Sequence, residues 1–280
     1  MAMRQWGLAV LGCVALLAST SAGAAVVLFS DAGANAAVIQ PAVDAFRAAL
    51  GGPNNGNLAG SQPAGRREIN WDDGGAGAPA MVFPSPMPIF ANRGSVFSTP
   101  GTGFEISGQP TPEFGDINPT YPGVFATFSS PSLFAAVGSN IIDVRFTVPG
   151  TTNPPALSRG FGAVFTDVDL ASTTSLAFYD PLNNLLGLFY ASPFDNGLSF
   201  LGALFDTAIV ARVRITGGNV ALGPNDGVGT DVVALDNFIY GEPQRVPEPA
   251  AVLLLFGAAE HKPRQSAWPL YSRGADVAAP

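Results

Sequence analysis

The sequence predicts an all-β fold: an antiparallel β-sandwich, jelly-roll-like, with one short N-terminal helix and long Gly/Pro-rich loops. Three observations carry this. Several segments alternate apolar and polar residues with period two, the pattern of strands whose successive side chains point to opposite faces. Gly (33) and Pro (25) together form about a fifth of the 280 residues, which makes the chain turn-rich. Charged residues supply only 12% and there is a single Lys, so long helices laced by ion pairs are disfavoured.

In chain order, Ile39–Gly52 is the one segment with helical spacing: Val43, Phe46 and Leu50 share a face, Pro41 sits in the first turn, and Gly51 and Gly52 stop it. From Pro53 to Pro122 long loops are expected, with short strand-like pieces at Ser95–Ser98 and Phe104–Ser107. Ile142, Val144, Phe146 and Val148 then alternate with Ile141, Asp143, Arg145 and Thr147. Ile209, Ala211, Val213 and Ile215 do the same with Val210, Arg212, Arg214 and Thr216. Both are strands with one wet face. Phe161–Val168, Ser175–Tyr179, Leu185–Tyr190, Leu198–Phe205 and Asp231–Tyr240 are apolar on both sides, as in strands at the middle of packed sheets. Asp180–Asn184, Asp195–Gly197 and Gly217–Asn219 supply turn residues between them. No helical stretch after Leu50 is long enough for a β/α fold, and no repeat of fixed period points to a solenoid.

The termini read as addresses. Arg4, the apolar stretch Gly7–Ala18 and the small-x-small string Ala22-Gly23-Ala24 form a secretory signal peptide over residues 1–24, cleaved near Ala24. The apolar run is shorter than the ~20 residues a membrane-spanning helix needs. The only Cys, Cys13, lies inside this leader, so the mature domain, residues 25–243, is free of thiols and disulfides. Near the other end, Val246, Pro247, Glu248 and Pro249 precede the apolar run Ala250–Ala259. This string resembles the PEP-CTERM sorting signal of exported bacterial proteins. The resemblance implies export, recognition by an exosortase, and a transient membrane contact through the segment 244–259. The chain departs from the family after the run: ten apolar residues span ~15 Å as a helix, about half a hydrocarbon core, before Glu260–Arg264. Residues 260–280 read as an atypical, disordered tail whose composition fits a frameshifted terminus.

Net charge of −8 argues against nucleic-acid partners, which need a basic surface. The only His, His261, sits in that tail. The domain therefore lacks the base of a Ser/His/Asp triad, a Cys nucleophile and the usual zinc ligands. Any metal should be a hard ion held by oxygens. Calcium candidates are Asp167 and Asp169, two apart at a strand end, and Asn225, Asp226, Asp231 and Asp236, where a Gly-rich loop enters the last strand. The competing reading is that these are turn-forming Asp and Asn, with Asp236 at a strand edge bonded to nearby backbone amides.

The body also looks like exported domains found attached to this signal, through Gly65–Asp72, Gly160–Asp169 and Asp231–Tyr240. The last string is similar to the closing strand of jelly-roll carbohydrate-binding modules, in which the resemblance gives Asp236 a role in holding structural calcium. Arg67, Glu68, Asn70, Trp71 and Asp72 are the residue types that stack on and hydrogen-bond to sugars. They are the ligand-binding candidates, against a plain strand with Ile69 and Trp71 facing different sides. Tyr179, Phe189 and Tyr190 offer either a binding platform or sheet packing. Three function classes compete: a non-catalytic envelope or matrix protein binding extracellular polysaccharide, a structural or adhesive protein without a small ligand, and a carboxylate-dependent glycoside hydrolase. The last needs two facing carboxylates, and before Glu242 only Glu68, Glu105 and Glu113 supply Glu.

Overall fold

The computed structural model describes residues 25–246. The leader, Pro247, Glu248 and Pro249 of the sorting motif, the apolar run and the 260–280 tail lie outside the described residues. The described strands and helix belong to one compact unit that ends at Arg245.

Fifteen strands and one α-helix follow in order: β1 (Val26–Gly33), α1 (Ala36–Leu50), β2 (Arg66–Ile69), β3 (Met81–Pro84), β4 (Ser95–Ser98), β5 (Gly103–Ile106), β6 (Phe134–Val137), β7 (Ile141–Phe146), β8 (Ala156–Leu157), β9 (Gly160–Val168), β10 (Ser175–Tyr179), β11 (Leu185–Tyr190), β12 (Phe194–Phe205), β13 (Arg212–Thr216), β14 (Ala234–Gly241) and β15 (Gln244–Arg245). The larger sheet runs β1-β12-β9-β14-β6-β5-β3, with β2 also on β14; the smaller runs β11-β10-β13-β7-β4; β8 and β15 make a separate ribbon. Every pairing of these strands is antiparallel. The result is the all-β antiparallel sandwich that the period-two segments predict.

The inner faces of the two sheets meet in one core. Phe161, Phe165, Leu201, Phe238 and Tyr240 of the larger sheet face Phe97, Val144, Phe146, Phe178 and Val213 of the smaller. A second layer covers the outside of the larger sheet, where Ile39, Val43, Phe46 and Leu50 of α1 pack on Val164, Leu198, Phe200 and Ile239. Burial from both sides is why β9, β12 and β14 read as apolar runs. Gly162 and Gly202 are cross-strand partners directly under Phe46. A Cβ would lie 2.8 Å from the Phe46 ring at Gly162 and 3.0 Å at Gly202, so glycine is what lets the ring seat.

Three sequence expectations need correction. The helix starts at Ala36, not Ile39, because the Asn35 side chain accepts from the Ala37 N–H and caps it; Pro41 therefore lies inside the helix. β11 is an edge strand, not a central one, and leaves Leu185, Leu188 and Tyr190 exposed. In the Pro53–Pro122 region the strand reading of the Arg66–Asp72 string holds as β2 on β14, and one further strand, β3, is recruited by β5. Ahead of α1, β1 is zipped along eight residues of β12.

The strand that organises both candidate sites is β14. One edge pairs with β9, while the other is shared by β6 at Leu235 and by β2 at Phe238–Gly241. Its register with β9 shifts between Leu235 and Phe238, so Asp236 and Asn237 form a bulge, a device that re-aims side chains.

Candidate functional site

Strand alternation sorts the Arg66–Asp72 string. Arg67, Ile69 and Trp71 turn inward, and Glu68 and Asn70 turn to the surface. Ile69 and Trp71 thus share one side, correcting the expectation that they face different ones. Arg67 is fully buried and donates from Nε and Nη2 to the Glu242 carboxylate at 2.7 Å each, and from Nη1 to the carbonyls of Gly56 and Leu58 at 2.7 and 2.8 Å. Trp71 stacks flat on Phe134 at 3.8 Å, and its Nε1 donates to the Asp236 carbonyl at 2.9 Å. Both side chains are buried and engaged within the protein, so neither is placed to meet a ligand. Asp72 accepts from the Ser132 N–H at 3.0 Å and from Asn70 Nδ2 at 3.0 Å, which ties the end of the string to the loop before β6.

The two outward residues meet others that the sequence did not single out. Arg47, Asn54, Gly56, Glu68, Asn70, Arg93 and Asn237 line a polar pocket of about 320 Å³. Its volume is at the lower end of the range for small-ligand sites, ~300 to 1,000 Å³. Arg47, in the last turn of α1, donates to Glu68 Oε2 at 2.9 Å, and Arg66 Nε donates to Oε1 at 2.6 Å. Arg93 donates from Nη1 to the Glu68 carbonyl at 2.8 Å and from Nε to Asn57 Oδ1 at 3.0 Å. Asn237 comes from the β14 bulge, its Oδ1 accepting from Ser129 Oγ at 2.5 Å. Guanidinium, carboxylate and amide groups held by one another present fixed donors and acceptors toward the cavity. The outward side of the helix and the bulge carry no motif, so only the fold could bring Arg47, Arg93 and Asn237 here.

The calcium candidates also divide. Side-chain oxygens of Asp167, Asp169 and Asp226 all lie within 4.8 Å of one another. Asp167 and Asp169 come from the end of β9, where Asp167 adopts a left-handed φ of 65° and its Oδ1 accepts from the Asn196 N–H at 2.8 Å. Asp226 comes from the loop before β14. That loop is pinned by Asn118, which donates to the Gly223 carbonyl at 3.1 Å and to Asn225 Oδ1 at 2.9 Å, and by Tyr121, whose hydroxyl donates to the Pro224 carbonyl at 2.8 Å. Burial, together with the charges of Asp169, Asp226 and Asp195, pushes Asp167 up to about 7. Burial, the charge of Asp226 and a hydrogen bond with its carboxyl push Asp169 up to about 7 as well.

Asp231 and Asp236 are engaged elsewhere, which corrects their assignment as metal ligands. Asp231 accepts from the Asp169 N–H at 3.0 Å and from the Thr173 hydroxyl. Asp236, fully buried, accepts from the Phe128 and Ser129 N–H groups at 2.6 and 3.1 Å and from Ser129 Oγ at 3.1 Å. It lies on an interior strand rather than a sheet edge, and it clamps Phe128 and Ser129 by the amide bonding that is the alternative to a metal. Asn225 is likewise committed, to Asn118.

Of the remaining candidates, Phe189 and Tyr179 pack within the smaller sheet, Tyr190 is exposed on its edge strand, and Glu105 sits beside Asp116. Phe189 packs on Phe178 at 5.9 Å, and Tyr179 lies under the Arg212 guanidinium at 3.8 Å. Burial, then the charge of Asp116 and a hydrogen bond with it, push Glu105 up to about 7. Two carboxyls within hydrogen-bond reach are closer than the ~5 Å or more that glycoside hydrolysis uses.

No family model matches the chain, and no curated protein or solved structure matches it.

Proposed function

We propose that the chain is an exported, non-catalytic β-sandwich protein of the cell envelope or extracellular matrix that binds polysaccharide in the pocket beside α1. The pocket itself carries the reading: Arg47, Glu68, Asn70, Arg93 and Asn237 come from four elements and converge on one cavity. Arg47 and Arg93 face a single lining carboxylate, Glu68, and their excess positive charge is offset by Asp44 beside Arg47 and Asp73 beside Arg93. Planar forks and amides in that setting suit the paired hydroxyls of a neutral sugar better than a phosphate or a free carboxylate. Export is supported by the leader-like residues 1–24, and passage through an exosortase by Val246, Pro247, Glu248 and Pro249.

A glycan array probed with the full chain tests this. Binding to a defined set of saccharides is expected, with at least tenfold loss for Asn70→Ala, whose side chain bonds only to Asp72. Absence of binding to any saccharide, or unchanged binding by that variant, refutes the assignment.

A further inference from the structure

The acidic cluster at the end of β9 has a feature that turn chemistry does not explain. Asp167 is fully buried, and its Oδ2 has no hydrogen-bond partner, while the Asp169 and Asp226 carboxyls face only one another. These three residues are the ones whose oxygens converge. A carboxylate oxygen removed from water without a donor is costly, and like charges beside it add to that cost. Asp231 increases the negative field at Asp169. Asp195 adds to it at both Asp167 and Asp169. No Lys or Arg forms an ion pair with any of the three among the described residues.

We propose that Asp167, Asp169 and Asp226 bind one hard divalent cation, calcium, joining the end of β9 to the loop before β14. Calcium takes oxygens at about 2.3–2.6 Å, so two ligands on opposite sides of the ion lie about 5 Å apart, which the cluster's span allows. Magnesium, at about 2.0–2.1 Å, demands a stricter octahedron. Three carboxylates with water completing a shell of six to eight oxygens suit the more adaptable ion. The supporting framework is already in place. Asn196 fixes Asp167, Asp231 fixes the Asp169 backbone, and Asn118 and Tyr121 hold the loop bearing Asp226. Asp231 is thus a positioning residue. The site is separate from the polar pocket and stands whether or not that pocket binds saccharide.

The test is isothermal titration of the chelator-treated full chain with calcium chloride, alongside thermal melts. Wild type is expected to bind one calcium and to melt about 5–10 °C higher at a hundredfold excess over Kd. Asp226→Asn, a loop substitution, should weaken binding at least tenfold. Asp169→Asn should also abolish the calcium shift while raising the melting temperature of the metal-free chain, because it removes a repelling charge. Loss of a merely structural residue would lower it. Absence of calcium binding up to about 10 mM, the upper end for weak extracellular sites being roughly 1 mM, overturns the proposal. So does binding undiminished in Asp226→Asn, or magnesium binding as tight as calcium.

Discussion

Arg67 and Glu242 form a fully buried, two-pronged ion pair, Nε to Oε2 and Nη2 to Oε1 both at 2.7 Å, between residues 175 positions apart. Glu242 also accepts from Asn55 Nδ2 at 2.8 Å and from the Gln62 N–H at 3.0 Å, while Arg67 gathers carbonyls of the Gly-rich loop. The pair therefore folds the 53–65 segment against β2 and β14, and so shapes one wall of the polar pocket. Arg67→Ala leaves a buried carboxylate without its charge partner and should cost about 3–5 kcal/mol. Urea unfolding of the full chain measures this. The double variant Arg67→Met/Glu242→Leu should be less damaging than the sum of the single ones, as two halves of one network are not additive.

The fit of Phe46 over Gly162 and Gly202 gives a second expectation. Gly202→Val places branched carbon against a ring already 3.0 Å from the added Cβ, so overpacking should destabilise by about 1–3 kcal/mol. Phe46→Ala should cost about 3–5 kcal/mol by emptying the layer under α1. Combining Gly202→Val with Phe46→Leu should recover part of the loss, which a double-mutant cycle of denaturation midpoints would show.

Stability of the metal-free protein should fall as pH rises from about 5 to 8. Burial raises Asp167, Asp169 and Glu105 to about 7, and raises Asp236 to about 8. A carboxyl raised by folding favours the native state fully below its unfolded value, near 4, and that contribution is lost as pH climbs through the folded one. Asp143 acts in the opposite sense: burial works against it, but hydrogen bonds from Arg214 and Arg212 hold it low, so its contribution is lost only in acid. Melting temperatures across that range in chelator should decline, and calcium should flatten the decline.

Asp236 is the test of a clamp against a metal ligand. Asp236→Ala orphans the Phe128 and Ser129 N–H groups and should cost about 1–3 kcal/mol for each donor left buried. Calcium affinity should be unchanged. Titration of this variant separates the two roles of the last strand.

How much was legible in the sequence depended on the range of the interactions. β10 and β11 match their apolar runs residue for residue, because side-chain alternation and turn chemistry at Asp180–Asn184 are local. That β11 is an edge was not legible, since an exposed apolar run and a buried one look alike. Loops rich in Asp and Gly signal oxygen ligands, and the fold brings Asp167, Asp169 and Asp226 together, whereas Asp236 shares the composition but is claimed by amides 107 and 108 residues away. Trp71 and Arg67 were misread as ligand groups because alternation from Glu68 outward could be fixed only once β2 had paired with β14. Arg47 and Arg93 were invisible as site residues: each is an ordinary surface arginine until α1 and the turn before β4 bring them to Glu68.

The most direct measurement of saccharide binding is hydrogen exchange followed by mass spectrometry on the full chain, with and without the best-bound array glycan. The account expects slowed exchange confined to the peptides spanning Arg47, Asn54–Gly56, Glu68–Asn70, Arg93 and Asn237. Unchanged exchange in those peptides, or protection located on the smaller sheet instead, would contradict it.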